Sequence, residues 1–178
     1  MKRLLLVAGL ALALCPIVRA GAAEVPLDLA VDAAQAAIAA CKANGYAITV
    51  TILDADLATR LVLRSNGARD GSVQIGYRKA YTVIKTGMTS GDFGKTVLAS
   101  PASPASPTSP AAAANNDAPK GPPGPVNGDP NLITWAGGLP IMAGGAVVGA
   151  MSASGAPGGD KDEACVKAGL AKIADRLK

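Results

Sequence analysis

The feature that most restricts this 178-residue chain is a stretch that no helix or sheet interior can hold. Residues 100 to 130 carry nine of the thirteen prolines, opening with Pro101, Pro104, Pro107 and Pro110 at a strict three-residue interval. Proline fixes φ and removes a backbone donor, which keeps it out of helix and strand interiors. The interval matches the polyproline II repeat, which would line those prolines on one face as a ligand for an aromatic groove. The plainer reading, and the one expected, is a solvated, disordered insertion rich in Ala, Ser, Pro and Gly. The chain must then build one domain from two separated blocks, residues 23 to 99 and 131 to 178. Together they hold about 125 residues, enough for one modest core.

Ahead of the first block lies a leader. Lys2 and Arg3 are followed by the apolar run Leu4 to Leu14, and small residues close it at Val18-Arg19-Ala20 or Ala20-Gly21-Ala22. Residues 1 to 22 therefore read as a signal peptide that sends the protein to the periplasm or outside the cell. A membrane span needs roughly 20 apolar residues, and Pro16 and Arg19 cut this run short, so no span is expected. Cys15 follows the bulky Leu14 where a lipidation motif wants a small residue. Without the leader 14 basic residues face 13 acidic ones. That balance lacks the basic footprint of a nucleic-acid binder. Cys41 and Cys165 remain after Cys15 is removed, and an even pair in an oxidising compartment is a disulfide candidate. The alternative is two small side chains buried on apolar helix faces.

Apolar spacing predicts three helices. The first covers Leu27 to Asn44, with Leu27, Val31, Ala34, Ile38 and Cys41 on one stripe. The second runs from about Gly71 to Thr86 with Val73, Tyr77, Ala80 or Tyr81, and Ile84. The third starts at Asp160, where Asp160 and Glu163 have the spacing of a capping box, and repeats Val166, Leu170, Ile173 and Leu177. Tyr46 to Leu53 and Thr59 to Arg64 read as a hairpin. Leu132 to Trp135, Leu139 to Met142 and Ala146 to Ser154 follow the insertion, with Gly144-Gly145 suited to a two-residue turn. Five strands with few crossover helices imply an α+β architecture, helices packed on an antiparallel sheet, and not a doubly wound nucleotide fold.

The chain has no histidine. That removes Ser-His-Asp and Cys-His catalysis, histidine-ligated zinc and the commonest haem ligand. Asp54-Ala55-Asp56 has the look of an aspartyl phosphatase loop, but Ala58 stands where Thr or Val is usual, so it reads as a turn. Gly155-Ala156-Pro157-Gly158-Gly159 could cradle phosphate at a helix start. It lacks the partner Lys and Ser/Thr, and Asp160, Asp162 and Glu163 would repel an anion, so no nucleotide is expected. Those carboxylates also lack the alternating pattern of a calcium loop. On the second helix, Arg78, Lys79 and Lys85 lie among Tyr77 and Tyr81. Cations beside rings suit a planar anionic ligand, although singly the tyrosines would serve a core and Lys85 would be solvated.

These residues resemble the GlcG/HbpS family, also called the haem-degrading domain family. The likeness is densest in Gly137-Gly138-Leu139-Pro140-Ile141, Gly149-Ala150, Ser154-Gly155-Ala156 and Asp160 to Ala164. It extends through Ala40-Cys41, Gly45-Tyr46, the strand ending at Asp54, Leu63-Arg64, Gly67-Ala68 and Arg78-Lys79-Ala80-Tyr81-Thr82. The resemblance implies a profilin- or PAS-like α/β domain that forms homo-oligomers, with some members binding haem outside the cytoplasm. Many members carry His at or before the second helix, where this chain has Arg69-Asp70-Gly71-Ser72-Val73. Iron would then need Tyr77, Tyr81, Met88, Met142 or Thr82, and tyrosine is an established ligand class.

The resulting expectation is an exported haem- or small-ligand-binding protein acting in haem sequestration or sensing. Its pocket would lie between the second helix and Gly137 to Ile141, lined by Gly138, Pro140 and Thr82. Arg78 and Lys79 would pair with ligand carboxylates, and Tyr77 or Tyr81 would stack or ligate. An enzyme acting on an organic acid or tetrapyrrole, with Lys79 or Tyr81 moving the proton, ranks below it because no general base has an evident activating partner. An oligomeric scaffold displaying the proline-rich loop is the third reading.

Overall fold

A computed structural model describes residues 24–99 and 125–177. The leader, and residues 100–124 of the proline-rich insertion, lie outside the described residues. Thr49–Asp54 (β1) is buried along its whole length, as a short run of β-branched and apolar residues requires when both faces are covered. It pairs antiparallel with Thr59–Arg64 (β2) on one side and Ala146–Ser154 (β4) on the other. Gly138–Ala143 (β3) pairs with β4 and completes a sheet of order β2-β1-β4-β3. The β3–β4 connection turns on Gly144 and Gly145 at φ +55° and +83°, the positive angles a two-residue hairpin turn needs.

Strand alternation sorts the side chains into two layers of different chemistry. Val50, Ile52, Met151 and Ala153 point to one face, where they form the main apolar core with Leu27–Ala43 (α1) and Gly159–Ile173 (α4). Thr49, Thr51, Leu53, Ala150 and Ser152 point to the other, beneath Ser72–Thr86 (α2). Ser90–Ala99 (α3) follows α2, and a single 3₁₀ turn, Ala174–Arg176, follows α4. The Cys41–Cys165 disulfide joins α1 to α4, with Cα atoms 5.5 Å apart.

The sheet has four strands among the described residues, not the five expected. Leu132 to Trp135 forms no strand because α2 takes up its backbone. Thr82 Oγ1 accepts the Ile133 N–H at 2.9 Å, and Arg78 Nη2 donates to the Leu132 carbonyl at 2.6 Å. Backbone groups bonded to side chains are unavailable to a ladder. On α1, the buried face is Leu29, Ala30, Ala33, Ala34, Ala37 and Cys41, all small but Leu29, while Leu27 is 58% exposed. The small side chains win that face because α4 comes very close, and a Cβ on Gly169 would stand 2.5 Å from the Ala33 carbonyl oxygen. The expected stripe of α2 is likewise turned outward at Val73, which is 43% exposed.

Two termini also differ from expectation. The Asp160–Glu163 capping box does not form, and no side chain caps α4. Instead Asp162 turns inward and accepts the Ala156 N–H at 3.0 Å. Helix α3 was not expected, since Gly91 and Gly94 dilute its pattern. Its start is set by Thr89, whose Oγ1 accepts the Asp92 N–H at 3.0 Å while donating to the Asp92 carboxylate. Gly94 is required where the helix rests on the backbone of Thr134.

Candidate functional site

The seam between α2 and the sheet is polar, and most of its polar atoms are paired. Thr49 and Ser72 share a hydrogen bond at 2.7 Å, and Ser152 Oγ donates to the Gly76 carbonyl at 2.6 Å. Gly76 allows this approach, since a Cβ there would stand 2.8 Å from Thr51 Oγ1. Lys79 lies at the end of the seam, 1% exposed, with Nζ donating to Asp162 Oδ2 at 2.7 Å and to the Ala153 carbonyl at 2.9 Å. Burial pushes the Asp162 carboxyl above its usual range, opposed by the neighbouring Lys79 ammonium and the Ala156 N–H.

Four of the residues expected to contact a ligand therefore lie inside the protein: Arg78, Lys79, Thr82 and Gly138. A Cβ on Gly138 would stand 2.6 Å from the Lys79 carbonyl oxygen, so α2 and β3 meet in direct contact. The cleft expected between them is filled by the protein itself. Lys79 holds α2 to α4, Arg78 holds α2 to Leu132, and Thr82 donates to the Arg78 carbonyl at 2.8 Å while receiving the Ile133 N–H. Pro140 is partly buried in β3 opposite Ala150, on the α2 side of the sheet.

The remaining two, Tyr77 and Tyr81, come together on the outer flank of α2. Their ring centroids are 6.0 Å apart at an interplanar angle of 34°, the i,i+4 pairing of neighbouring helical turns. Both are partly exposed and rest on a small apolar cluster of Leu53, Ala80, Val83 and Ala150, flanked by Leu57 and Ile84. The Tyr81 hydroxyl donates to Asp129 Oδ2 at 2.9 Å, and Asp129 Oδ1 accepts the Asn131 N–H at 2.7 Å. The hydrogen bond to that carboxylate raises the Tyr81 phenol above its ordinary value, while the Asn131 N–H, with Tyr81, lowers Asp129. Of the other iron-ligand candidates, Met142 is 45% exposed in β3 and Met88 lies partly buried after α2.

Two residues of this region escaped the sequence reading. The sequence reading gives Asp162 no role beyond repelling an anion at the helix start, yet it shares a face with Cys165, Val166, Gly169 and Ile173, all buried. That spacing was available as a signal. Asp129 fell inside the expected insertion, but Asn127 and Gly128, both at positive φ, turn the chain so that Val126 and Asp129 exchange two backbone bonds. The Asn-Gly pair is the hairpin-turn signature that could have found it. Asp54 and Asp56 build the β1–β2 turn, Asp54 receiving Arg60 at 2.8 Å and Asp56 the Ala58 N–H at 3.3 Å. Among the described residues no cluster of His, Cys, Asp or Glu could hold a metal ion. No described helix is long and apolar enough to cross a membrane.

The family model of haem-degrading proteins termed HbpS-like matches residues 25–171. A crystal structure of HbpS is 28% identical, with a TM-score of 0.65 over 84% of this chain and 89% of that one. An HbpS double mutant from Streptomyces reticuli is also 28% identical, with a TM-score of 0.67 over 93% and 97%. A PduOC:heme complex has the same fold at 16% identity, with a TM-score of 0.65 over 85% and 96%. No curated protein matches significantly.

Proposed function

The chain belongs to the HbpS-like family of haem-degrading proteins, and from that premise we propose that it is an exported haem-binding protein that holds its ligand on the outer flank of α2. The observation that carries this reading is the partly exposed Tyr77–Tyr81 pair over an apolar base. Two rings at this spacing offer a tetrapyrrole a stacking surface. The phenol oxygen of Tyr81 is a donor type used for haem iron, and to ligate it would have to leave Asp129 and lose the proton that this carboxylate holds in place. The donor set thus fits haem without histidine, by tyrosine and in an open site in place of the filled α2–β3 seam. Bound haem would supply the redox and ligand-binding chemistry, while this chain stacks and orients it.

Export is supported by the leader in the sequence and by the Cys41–Cys165 bridge, since such bonds persist in oxidising compartments. The role is sequestration or sensing by a homo-oligomer, and the exposed Val62, Met142 and Val147 supply apolar surface for assembly. Binding is favoured over catalysis because the one buried cation–carboxylate pair of the seam, Lys79 and Asp162, is closed off from any ligand.

The test is an absorbance titration of the mature protein with haemin, comparing wild type with Tyr77→Ala and Tyr81→Phe. A saturable Soret shift that weakens in both variants is expected. Absence of any shift at micromolar haemin would overturn the reading.

A further inference from the structure

Three cations lie on α2, and the fold disposes of two. Arg78 is 3% exposed and spends its Nη2 on the Leu132 carbonyl; Lys79 is 1% exposed and spends its ammonium on Asp162 and Ala153. Both charges are buried, and the field of Arg78 reaches the tyrosine flank only at Asp129. Lys85 is exposed. It follows Tyr81 by four residues and Tyr77 by eight, so Val73, Tyr77, Tyr81 and Lys85 climb one ridge in steps of a helical turn. Side chains at i and i+4 have Cβ atoms about 5–6 Å apart, which places the Lys85 ammonium within reach of a ligand lying on the Tyr81 ring.

The surroundings of Lys85 leave that charge available. No salt bridge involves it among the described residues; it attracts Asp129 through space, but that carboxylate already receives the Asn131 N–H and the Tyr81 hydroxyl. Lys85 also occupies the last turn of α2, the end of a helix whose dipole favours a cation. A planar ligand would therefore meet rings along its face and one positive charge at one edge. Asp129, beside the Tyr81 hydroxyl, disfavours negative charge at that position and so adds to the asymmetry.

We propose that Lys85 is the cation that fixes the ligand's orientation, and that the site selects planar aromatic molecules whose carboxylates lie along a single edge. This rests on the haem-binding reading above and narrows it. The positioning role passes from the buried Arg78 and Lys79 to the exposed Lys85.

The experiment titrates wild type, Lys85→Gln, Lys85→Arg and Tyr77→Ala with haemin and with haemin dimethyl ester, whose two carboxylates are masked. Lys85→Gln is expected to weaken haemin binding about two- to fivefold, the range of an exposed ion pair, and to flatten its salt dependence. Lys85→Arg should restore the affinity, and the ester should bind wild type and Lys85→Gln equally. Lys85 is exposed, so circular dichroism should show an unchanged fold. Equal haemin affinity of Lys85→Gln and wild type, with Tyr77→Ala weakened, would overturn the Lys85 assignment and leave the haem reading standing. So would an equal loss for haemin and ester. Failure of wild type to bind haemin would overturn both.

Discussion

Lys79 and Asp162 are 83 residues apart in sequence and 2.7 Å apart in space, and both side chains are almost fully buried. A pair like this contributes little against an apolar substitute, but removing one partner strands a charge in a poorly hydrated interior. Lys79→Met should therefore cost about 3–5 kcal/mol of folding stability, read from the midpoint of a urea transition. The loss should depend on pH in a definite sense. The Asp162 carboxyl is already raised by burial, and losing its nearest cation raises it further. The folded variant then keeps a proton that the unfolded chain gives up near the ordinary value of about 3.9. Its stability is greatest below that value and falls as pH rises through the raised folded pKa. A Lys79→Met protein equally destabilised at pH 4 and pH 8 would contradict this account. The double variant Lys79→Met/Asp162→Leu should recover most of the loss.

At the level of elements, the α1–α4 contact depends on backbone approach more than on bulky packing. Gly169 faces the Ala33 carbonyl, the Met151 methyl and the Ala37 methyl, all within 3.1 Å of where a Cβ would sit. Gly169→Ala should push the helices apart and cost about 1–3 kcal/mol, visible as a lower thermal midpoint with unchanged helix content. An unchanged midpoint would show that the contact can yield. The same feature explains how far the elements could be read in advance. Helices α1, α2 and α4, both hairpins and the glycine turn follow from periodicity and turn chemistry, which act locally, whereas α3 does not. Which face of α1 is buried depends on how near α4 comes, and no periodicity in α1 encodes that distance. The missing fifth strand has a similar cause, because Thr82 and Arg78 reach Leu132 and Ile133 from about 50 residues away. Of the candidate site, the side-by-side placement of Tyr77 and Tyr81 was legible from their spacing on one helix. The inward turn of Arg78 and Lys79 was not, since it depends on Asp162 and Leu132 in the other block of the chain.

Across the whole molecule, the sheet separates an apolar, disulfide-bridged layer of α1 and α4 from a polar layer beneath α2. The bridge spans 124 residues, and constraining a loop of that size should contribute about 4–5 kcal/mol through the unfolded state. Reduction, or Cys41→Ala with Cys165→Ala, should lower the unfolding free energy accordingly, and equal urea midpoints with and without reductant would refute it. Strand order has a separate consequence for the speed of folding. β1 meets β2 through a short turn, setting Thr51 beside Val62, but it meets β4 by setting Thr51 beside Ser152. The first pairing is local, whereas the second must close a chain of about 100 residues, so it is expected to limit the rate. Closure entropy grows only with the logarithm of length, and doubling a loop adds about 0.6 kcal/mol, roughly a threefold slowing. A chain whose central seam already spans such a distance can lengthen the link between its two blocks at small kinetic cost, and variation in that link should change folding times far less than any substitution in β1 or β4.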